Sequence, residues 1–235
     1  MVLKMSKTFK TTLLAAAFGL TAASTATAQD WSGRYVGLHI GEADSAVDWV
    51  DDAGGWFSFV PGTSHFDEET GSVTGLHYGA LYQRENNHVW GWEISFSSLD
   101  HDNTVPSPLF GSDTWRTSMD HIFAVTGRYG MAYGRWLPYL EGGIALGDPG
   151  LTNIDSGFCA PPCVLDLNGV QPGLVLGIGV DFWVSDNVSV GLNYRHIAFE
   201  TQTFTGVPTN RVAPETYTIG GDADVLTFRL NWMFN

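Results

Sequence analysis

Asp224-Val225-Leu226-Thr227-Phe228-Arg229-Leu230-Asn231-Trp232-Met233-Phe234 alternates two kinds of side chain to within one residue of the last position. Leu226, Phe228, Leu230, Trp232 and Phe234 share one face, and Thr227, Arg229, Asn231 and Met233 share the other. Successive side chains of a β-strand point to opposite faces of its sheet, so the pattern predicts one long strand with an apolar face. Working back from it, the same rhythm marks seven more stretches, giving candidate strands at 32–42, 72–84, 88–99, 114–129, 136–147, 171–183, 188–200 and 222–234.

The connections between them are of two kinds. Glu85-Asn86-Asn87, Gly130 to Arg135 and Val184 to Asn187 are short, whereas the other four run to between 14 and 29 residues and are rich in Asp, Gly, Pro, Ser and Thr. Strict alternation of short and long puts all tight turns at one end and all elaborate loops at the other. Transmembrane barrels have this asymmetry, with short periplasmic turns and long extracellular loops. The expectation is therefore all-β: an eight-stranded antiparallel up-and-down transmembrane β-barrel with four long extracellular loops. No second domain, linker or peptidoglycan-gripping tail is visible.

The N-terminus supports export. Lys4, Lys7 and Lys10 form a positive region, Leu13 to Leu20 a short apolar core, and Ala26-Thr27-Ala28 a small-residue cleavage site. This reads as a signal peptide over residues 1–28, cleaved before Gln29, with translation starting at Met1 or Met5, and leaves 29–235 as the barrel domain. All three lysines lie in the signal, so the mature chain sets 8 arginines against 25 acids. Such a balance excludes a nucleic-acid partner, because a phosphate backbone requires a basic footprint. No later run reaches about 18 apolar residues, so no transmembrane helix is expected.

A soluble lipocalin-type barrel would also alternate. The second face decides against it. In strand six Val175, Gly177, Gly179, Asp181 and Trp183 oppose the apolar set, and in strand seven Ser189, Gly191, Asn193 and Arg195 do so. These residues are small and sparsely charged, which suits a crowded interior better than a solvated wall. Trp31, Trp90, Trp92, Trp136, Trp183 and Trp232, with Phe234, cluster near the short-turn ends and are expected to form a membrane-interface belt. Tyr82, Tyr129 and Tyr139 extend it, and Phe96, Trp115 and Phe199 are expected in an upper girdle.

Four segments carry a resemblance. Trp31-Ser-Gly-Arg-Tyr-Val-Gly-Leu-His-Ile-Gly41, Leu137-Pro-Tyr-Leu-Glu-Gly-Gly-Ile-Ala-Leu-Gly147, the hairpin Gly177 to Arg195, and Leu230-Asn-Trp-Met-Phe234 occur in the order found in the small porin-like outer-membrane proteins. The chain resembles the OmpA-like outer membrane β-barrel domain family of α-proteobacteria over nearly the whole mature length, loops excepted. It departs in one place, since Asn235 follows the terminal aromatic. The resemblance implies residence in the Gram-negative cell envelope, contact with outer-membrane lipid and lipopolysaccharide, and passage through the barrel-assembly machinery.

Alternation assigns Glu93, Asp120, Glu141, Asp181, Arg116, Arg128, Arg195 and Arg229 to the interior, as an ion network plugging a lumen too narrow for an aqueous channel. The first long loop mixes Asp44, Asp48, Asp51, Asp52, Asp67, Glu68 and Glu69 with Trp49, Trp56, Phe57, Phe59 and Phe66. It reads as a solvated acidic surface, with cation binding as the alternative and the aromatics either extending the strands or offering a contact surface. Cys159 and Cys163 are expected to form a disulfide. His39 and His77 should face inward at similar height, as a satisfied pair or, alternatively, a shared metal or haem site.

None of the seven histidines is followed two residues later by Ser, and Gly-x-Ser-x-Gly is absent. The expected role is thus structural and interactive rather than enzymatic, with no cofactor. A lipid A-modifying hydrolase, a small-solute porin and a haem-binding barrel are the alternatives.

Overall fold

The structure is a computed structural model and describes residues 30–54, 60–107, 111–157, 159–211 and 213–234. Its described residues form eleven strands: β1 (Gly33–Asp51), β2 (Thr63–Gln83), β3 (His88–Pro106), β4 (Thr114–Met131), β5 (Trp136–Gly147), β6 (Gly150–Asp155), β7 (Cys163–Leu167), β8 (Gln171–Ser185), β9 (Val188–Phe199), β10 (Gln202–Gly206) and β11 (Glu215–Phe234). Trp56, Phe57, Phe59 and the proposed signal lie outside the described residues.

Eight strands close a ring. The hydrogen-bonded order β3-β2-β1-β11-β9-β8-β5-β4 is completed by the pairing of β3 with β4. All pairings are antiparallel, as expected of an up-and-down barrel. The short connections are tight for local reasons: Asn87 at φ 64° and Gly134 at φ 61° take the left-handed conformation that turns of this length demand.

The strands overrun their sequence-based limits. β1, β2, β3 and β11 continue by seven to nine residues past the apolar alternation, because only the outward face changes character there. In β1 the outward series Val36, Leu38, Ile40 gives way to Glu42, while the inward Ala43, Val47 and Trp49 stay apolar and buried. β5, β8 and β9 stop, and the β6–β7 hairpin and β10 take their places.

Beyond Val73 and Leu99 the backbones of β2 and β3 part. The upper part is therefore two four-stranded layers, β2-β1-β11-β10 and β3-β4-β6-β7, enclosing an apolar core that includes Val47, Trp49, Met119, Leu151, Leu165, Tyr217 and Ile219. Side chains bridge the parted seam: Asn103 Nδ2 donates to Asp67 at 2.8 Å, and the Asp102 amide to Glu69 at 3.1 Å.

One bulge corrects the register of β4. Ser98 pairs with His121 but His101 with Met119, so Asp120 and His121 both point outward. The two exposed amides donate to Asp148 Oδ1 at 2.9 and 2.8 Å, which gives the bulge its partner. Below it even-numbered residues face inward, and above it odd-numbered ones do.

Candidate functional site in the lumen and on the outer wall

The lumen is filled in three layers. At the short-turn mouth Trp31, Tyr35, Leu81, Val89, Leu137, Tyr139, Trp183 and Met233 pack as an apolar stopper. Trp31 and Trp183 are almost fully buried, their ring centroids 5.0 Å apart, so these two are not part of the interface belt. Their positions on inward-facing parity put the indoles inside. Tyr139, Trp115 and Phe199 are likewise interior, whereas Trp90, Trp92, Trp136, Trp232 and Phe234 stand on the outer wall.

Above the stopper lies an ionic layer of three acids and three arginines. Glu93 is its hub: Arg128 lies 2.8 Å away and Arg195 2.7 Å away, and Arg229 donates to both its oxygens. Glu141 accepts from Arg195 Nε at 2.6 Å and from Arg128 at 3.3 Å, and Asp181 stands 3.8 Å from Arg128. Tyr35 donates to Glu93 at 2.8 Å, and Asn193 to Glu141 at 2.9 Å. Opposite charges match in number and five of the six are hydrogen-bonded, which makes so polar a layer tolerable away from water; Asp181 faces Arg128 by charge alone, its Oδ1 without a hydrogen bond among the described residues.

Arg116 and Asp120 are not members. The β4 bulge turns both outward, where Arg116 instead pairs with Asp102 through a 2.6 Å Nε bond. That pairing holds the Asp102 carboxyl below its ordinary range.

The histidine pair belongs to the same layer. His39 Nδ1 and His77 Nδ1 are 3.2 Å apart, His39 Nε2 is 2.9 Å from the Ser97 hydroxyl, and His77 Nε2 is 2.6 Å from Asn231 Oδ1. Asn231 Nδ2 in turn donates to Ser189 at 3.0 Å. One direction satisfies every member: Ser97 donates to His39, His39 to His77, His77 to Asn231 and Asn231 to Ser189. The pair thus has no unfilled coordination to offer. Each ring lies across a glycine of the neighbouring strand, His39 opposite Gly75 and His77 opposite Gly37. A Cβ at Gly37 would stand 2.2 Å from the His77 ring and 2.5 Å from the Leu230 carbonyl oxygen.

A cavity of about 10 Å³, the size of one water, sits over this layer beside His39, Arg195 and Arg229. The apolar core of the upper part then closes the lumen from above. Cys159 and Cys163 are joined by a disulfide at the turn of the β6–β7 hairpin.

The outer wall changes character along its height. Val36, Leu38, Ile40, Leu76, Ile94, Leu140, Ile144, Leu176, Ile178, Phe228 and Leu230 form an exposed apolar band around the ring. Above it the wall is acidic. Of the 25 acids in the chain, Glu93, Glu141 and Asp181 are inside and Asp30, Glu85 and Asp186 stand at the short-turn end; the remaining 19 occupy the long-loop half, facing only Arg116 and Arg211. Arg34, Arg84 and Arg135 balance the short-turn end, and Arg128, Arg195 and Arg229 the interior, so the net charge of residues 29–235 sits on the long-loop half.

Two outward groups on the upper wall bring together potential metal ligands, Asp120-His121-Asp148 and His196-Asp222-Asp224. In both, the histidine is already bonded to an aspartate, His121 to Asp148 at 3.0 Å and His196 to Asp224 at 2.9 Å.

The outer membrane protein beta-barrel domain family matches residues 13–234. Among solved structures the fold is similar to the outer membrane protein OprG from Pseudomonas aeruginosa, at 12% identity and a TM-score of 0.54, covering 88% of this chain and 99% of that one. It is similar also to the outer membrane protease OmpT from Escherichia coli, at 7% identity and a TM-score of 0.52, covering 89% and 99%. Neisserial surface protein A matches at 16% identity and a TM-score of 0.39, covering 86% and 98%. No curated protein matches the chain.

Proposed function

From the premise that the chain belongs to the outer membrane protein beta-barrel domain family, and so resides in a Gram-negative outer membrane amid lipid, we propose that it is a non-conducting structural and surface-interaction protein of the cell envelope. The filled lumen carries this reading. An eight-stranded ring leaves an interior that side chains can fill, and here an apolar stopper, a neutral ionic layer and an apolar core succeed one another along it. What the barrel holds out is a braced, acidic two-layer extension, suited to lipopolysaccharide through bridging cations or to a basic surface partner.

Planar-bilayer recording tests it. No steady conductance is expected from the purified barrel, and a conductance that changes on Glu93→Gln or Arg128→Gln would establish a porin instead. A lipid A-modifying hydrolase predicts altered lipid A masses when the gene is removed; unchanged masses are expected. The likeness to a protease extends to fold alone at 7% identity. A haem-binding barrel would bring a Soret band to the purified protein, and the closed hydrogen-bond chain through His39 and His77 argues against it. Folding by the barrel-assembly machinery after cleavage of a signal over 1–28 completes the proposal. Sequencing the envelope form from its N-terminus should begin at Gln29.

A further inference from the structure

At the short-turn rim, where β1 begins and β2 ends, a groove of about 530 Å³ opens on the outer wall. Its lining joins two opposite charges, Asp30 and Arg34, to the walls of Tyr82 and Phe234, with Ala80 beneath. Small Ala80 makes the room. It is the direct cross-strand partner of Arg34, and Phe234 is the partner on the other side, so the guanidinium emerges between an alanine and an aromatic ring. Arg34 and Asp30 are both exposed, and no ion pair within 4.0 Å joins them among the described residues, although only four positions separate them. Asp30 Oδ1 accepts from the Ser32 amide at 2.8 Å, which holds the carboxylate at the groove, so the lining offers one cation and one anion.

We infer that this groove is a site for a single phospholipid of the periplasmic leaflet with a phosphoethanolamine headgroup, its phosphate on Arg34 and its ammonium on Asp30. Position selects a lipid over a soluble ligand. The groove lies directly below Val36 and Leu38 of the apolar band and beside the aromatic belt, at the height where headgroups meet acyl chains. Charge selects the headgroup. A guanidinium fork matches the oxygens of a phosphodiester, while a primary ammonium donates hydrogen bonds to a carboxylate and a quaternary one cannot. Opposite charges in one groove favour a zwitterion over a purely anionic lipid, whose headgroup would face Asp30 without a counter-charge. Among the described residues of the other rim acids dominate, and Arg116 is already engaged by Asp102. This inference rests on the membrane placement given by the family and is independent of the role of the acidic extension.

Native mass spectrometry of the mature barrel in non-ionic detergent, with phosphatidylethanolamine, phosphatidylcholine or phosphatidylglycerol added in equal amounts, tests it. One phosphatidylethanolamine should be retained in preference to the other two. Arg34→Gln should lower retention of all three by about tenfold, the size of one charge-assisted hydrogen bond. Asp30→Asn should keep phosphatidylglycerol bound and abolish the preference for phosphatidylethanolamine. Arg135→Gln, at the same rim but outside the groove, should change neither, and heat-modifiable mobility confirms that each variant is folded. Equal retention by Arg34→Gln, or an undiminished preference in Asp30→Asn, would overturn the assignment.

Discussion

The lower barrel and the upper extension share β1, β2, β3, β4 and β11, with the polarity of the two faces reversed between them. In the membrane ring the outside is apolar and the inside ionic; in the extension the outside is acidic and the inside apolar. The exchange happens within a few residues of one strand. Descending β11, the inward series runs Ile219, Ala223, Val225, Thr227, Arg229, while the outward series runs Asp222, Asp224, Leu226, Phe228, Leu230. Parity does not slip in β11, so the change follows the surroundings: lipid selects the apolar wall below and water the charged wall above. The interior of each part then takes what its own wall excludes.

Breaking the lower core should cost most. Glu93 binds three buried arginines, so Glu93→Ala leaves an excess of uncompensated cations, and removing one partner of a buried pair costs about 3–5 kcal/mol. A barrel destabilised by that amount should lose heat-modifiable mobility and unfold at lower urea in lipid vesicles. Retention of wild-type stability would mean the layer is hydrated from a mouth and is not the plug inferred from its packing.

The next experiment contrasts the two walls directly. Leu38 and Phe66 both face outward on neighbouring strands, the first in the band and the second above it. An arginine at a lipid-facing position near mid-bilayer costs about 2–4 kcal/mol, whereas at a water-facing one it should stay within about 0.5 kcal/mol. Leu38→Arg should therefore lower the urea midpoint clearly and Phe66→Arg should not. Equal effects would place the upper boundary of the membrane elsewhere.

Much of this comparison was legible beforehand, and the reasons for the rest are specific. Residues 222–234, 136–147 and 188–200 announced themselves because outward apolar residues repeat there every second position. The extension did not, because in Ala43 to Asp51 the outward positions mix Asp44 and Asp48 with Ala46 and Val50 and the inward ones mix Ser45 with Val47 and Trp49, which resembles a loop in composition. Parity in the sequence puts Glu93, Glu141, Asp181, Arg128, Arg195 and Arg229 on the inward face where they meet; it puts Arg116 and Asp120 there too because a bulge consumes one residue, and nothing in Met119-Asp120-His121 marks that bulge except an otherwise awkward histidine on the apolar face. Proximity to a turn says how high Trp31 and Trp183 sit, not which face they take, and both are interior. Parity in β8 already put Trp183 with Asp181.

Acid should separate the two parts by a smaller margin. His65, between Trp49 and Trp115 at 4.4 and 4.1 Å, and His101, bonded to Ser45 at 2.6 Å, both lie in the extension. Burial holds both below the ordinary histidine value of 6.5. The unfolded chain therefore binds protons that the folded one refuses, so their contribution is present above about 6.5 and is lost as pH falls below it, by at most about 1.4 kcal/mol per histidine per pH unit. Glu215, raised by burial, titrates in the opposite sense. His101→Asn isolates the histidine term: the extension's fluorescence transition, reported by Trp49 and Trp115, should shift less between pH 7 and 5 in the variant than in the parent.

The smallest effect is expected at Arg116, and its smallness is informative. Arg116 and Asp102 make the same kind of bidentate contact as the pairs of the ionic layer, and the distances are comparable. Their surroundings differ: both side chains here are about half exposed, where those of Arg128 and Glu93 are buried. Water and salt screen the exposed pair, and such pairs are worth about 0–1 kcal/mol. Arg116→Gln should therefore move the urea midpoint barely above error, and less still at high salt. A loss approaching that of Glu93→Ala would mean that the pair clamps the parted β2–β3 seam, since the backbone amide of Asp102 is also bonded to Glu69 across it. Adding Glu69→Gln to Arg116→Gln distinguishes the cases: additive losses leave the seam held by its apolar core, and a loss exceeding the sum assigns the clamp to Asp102.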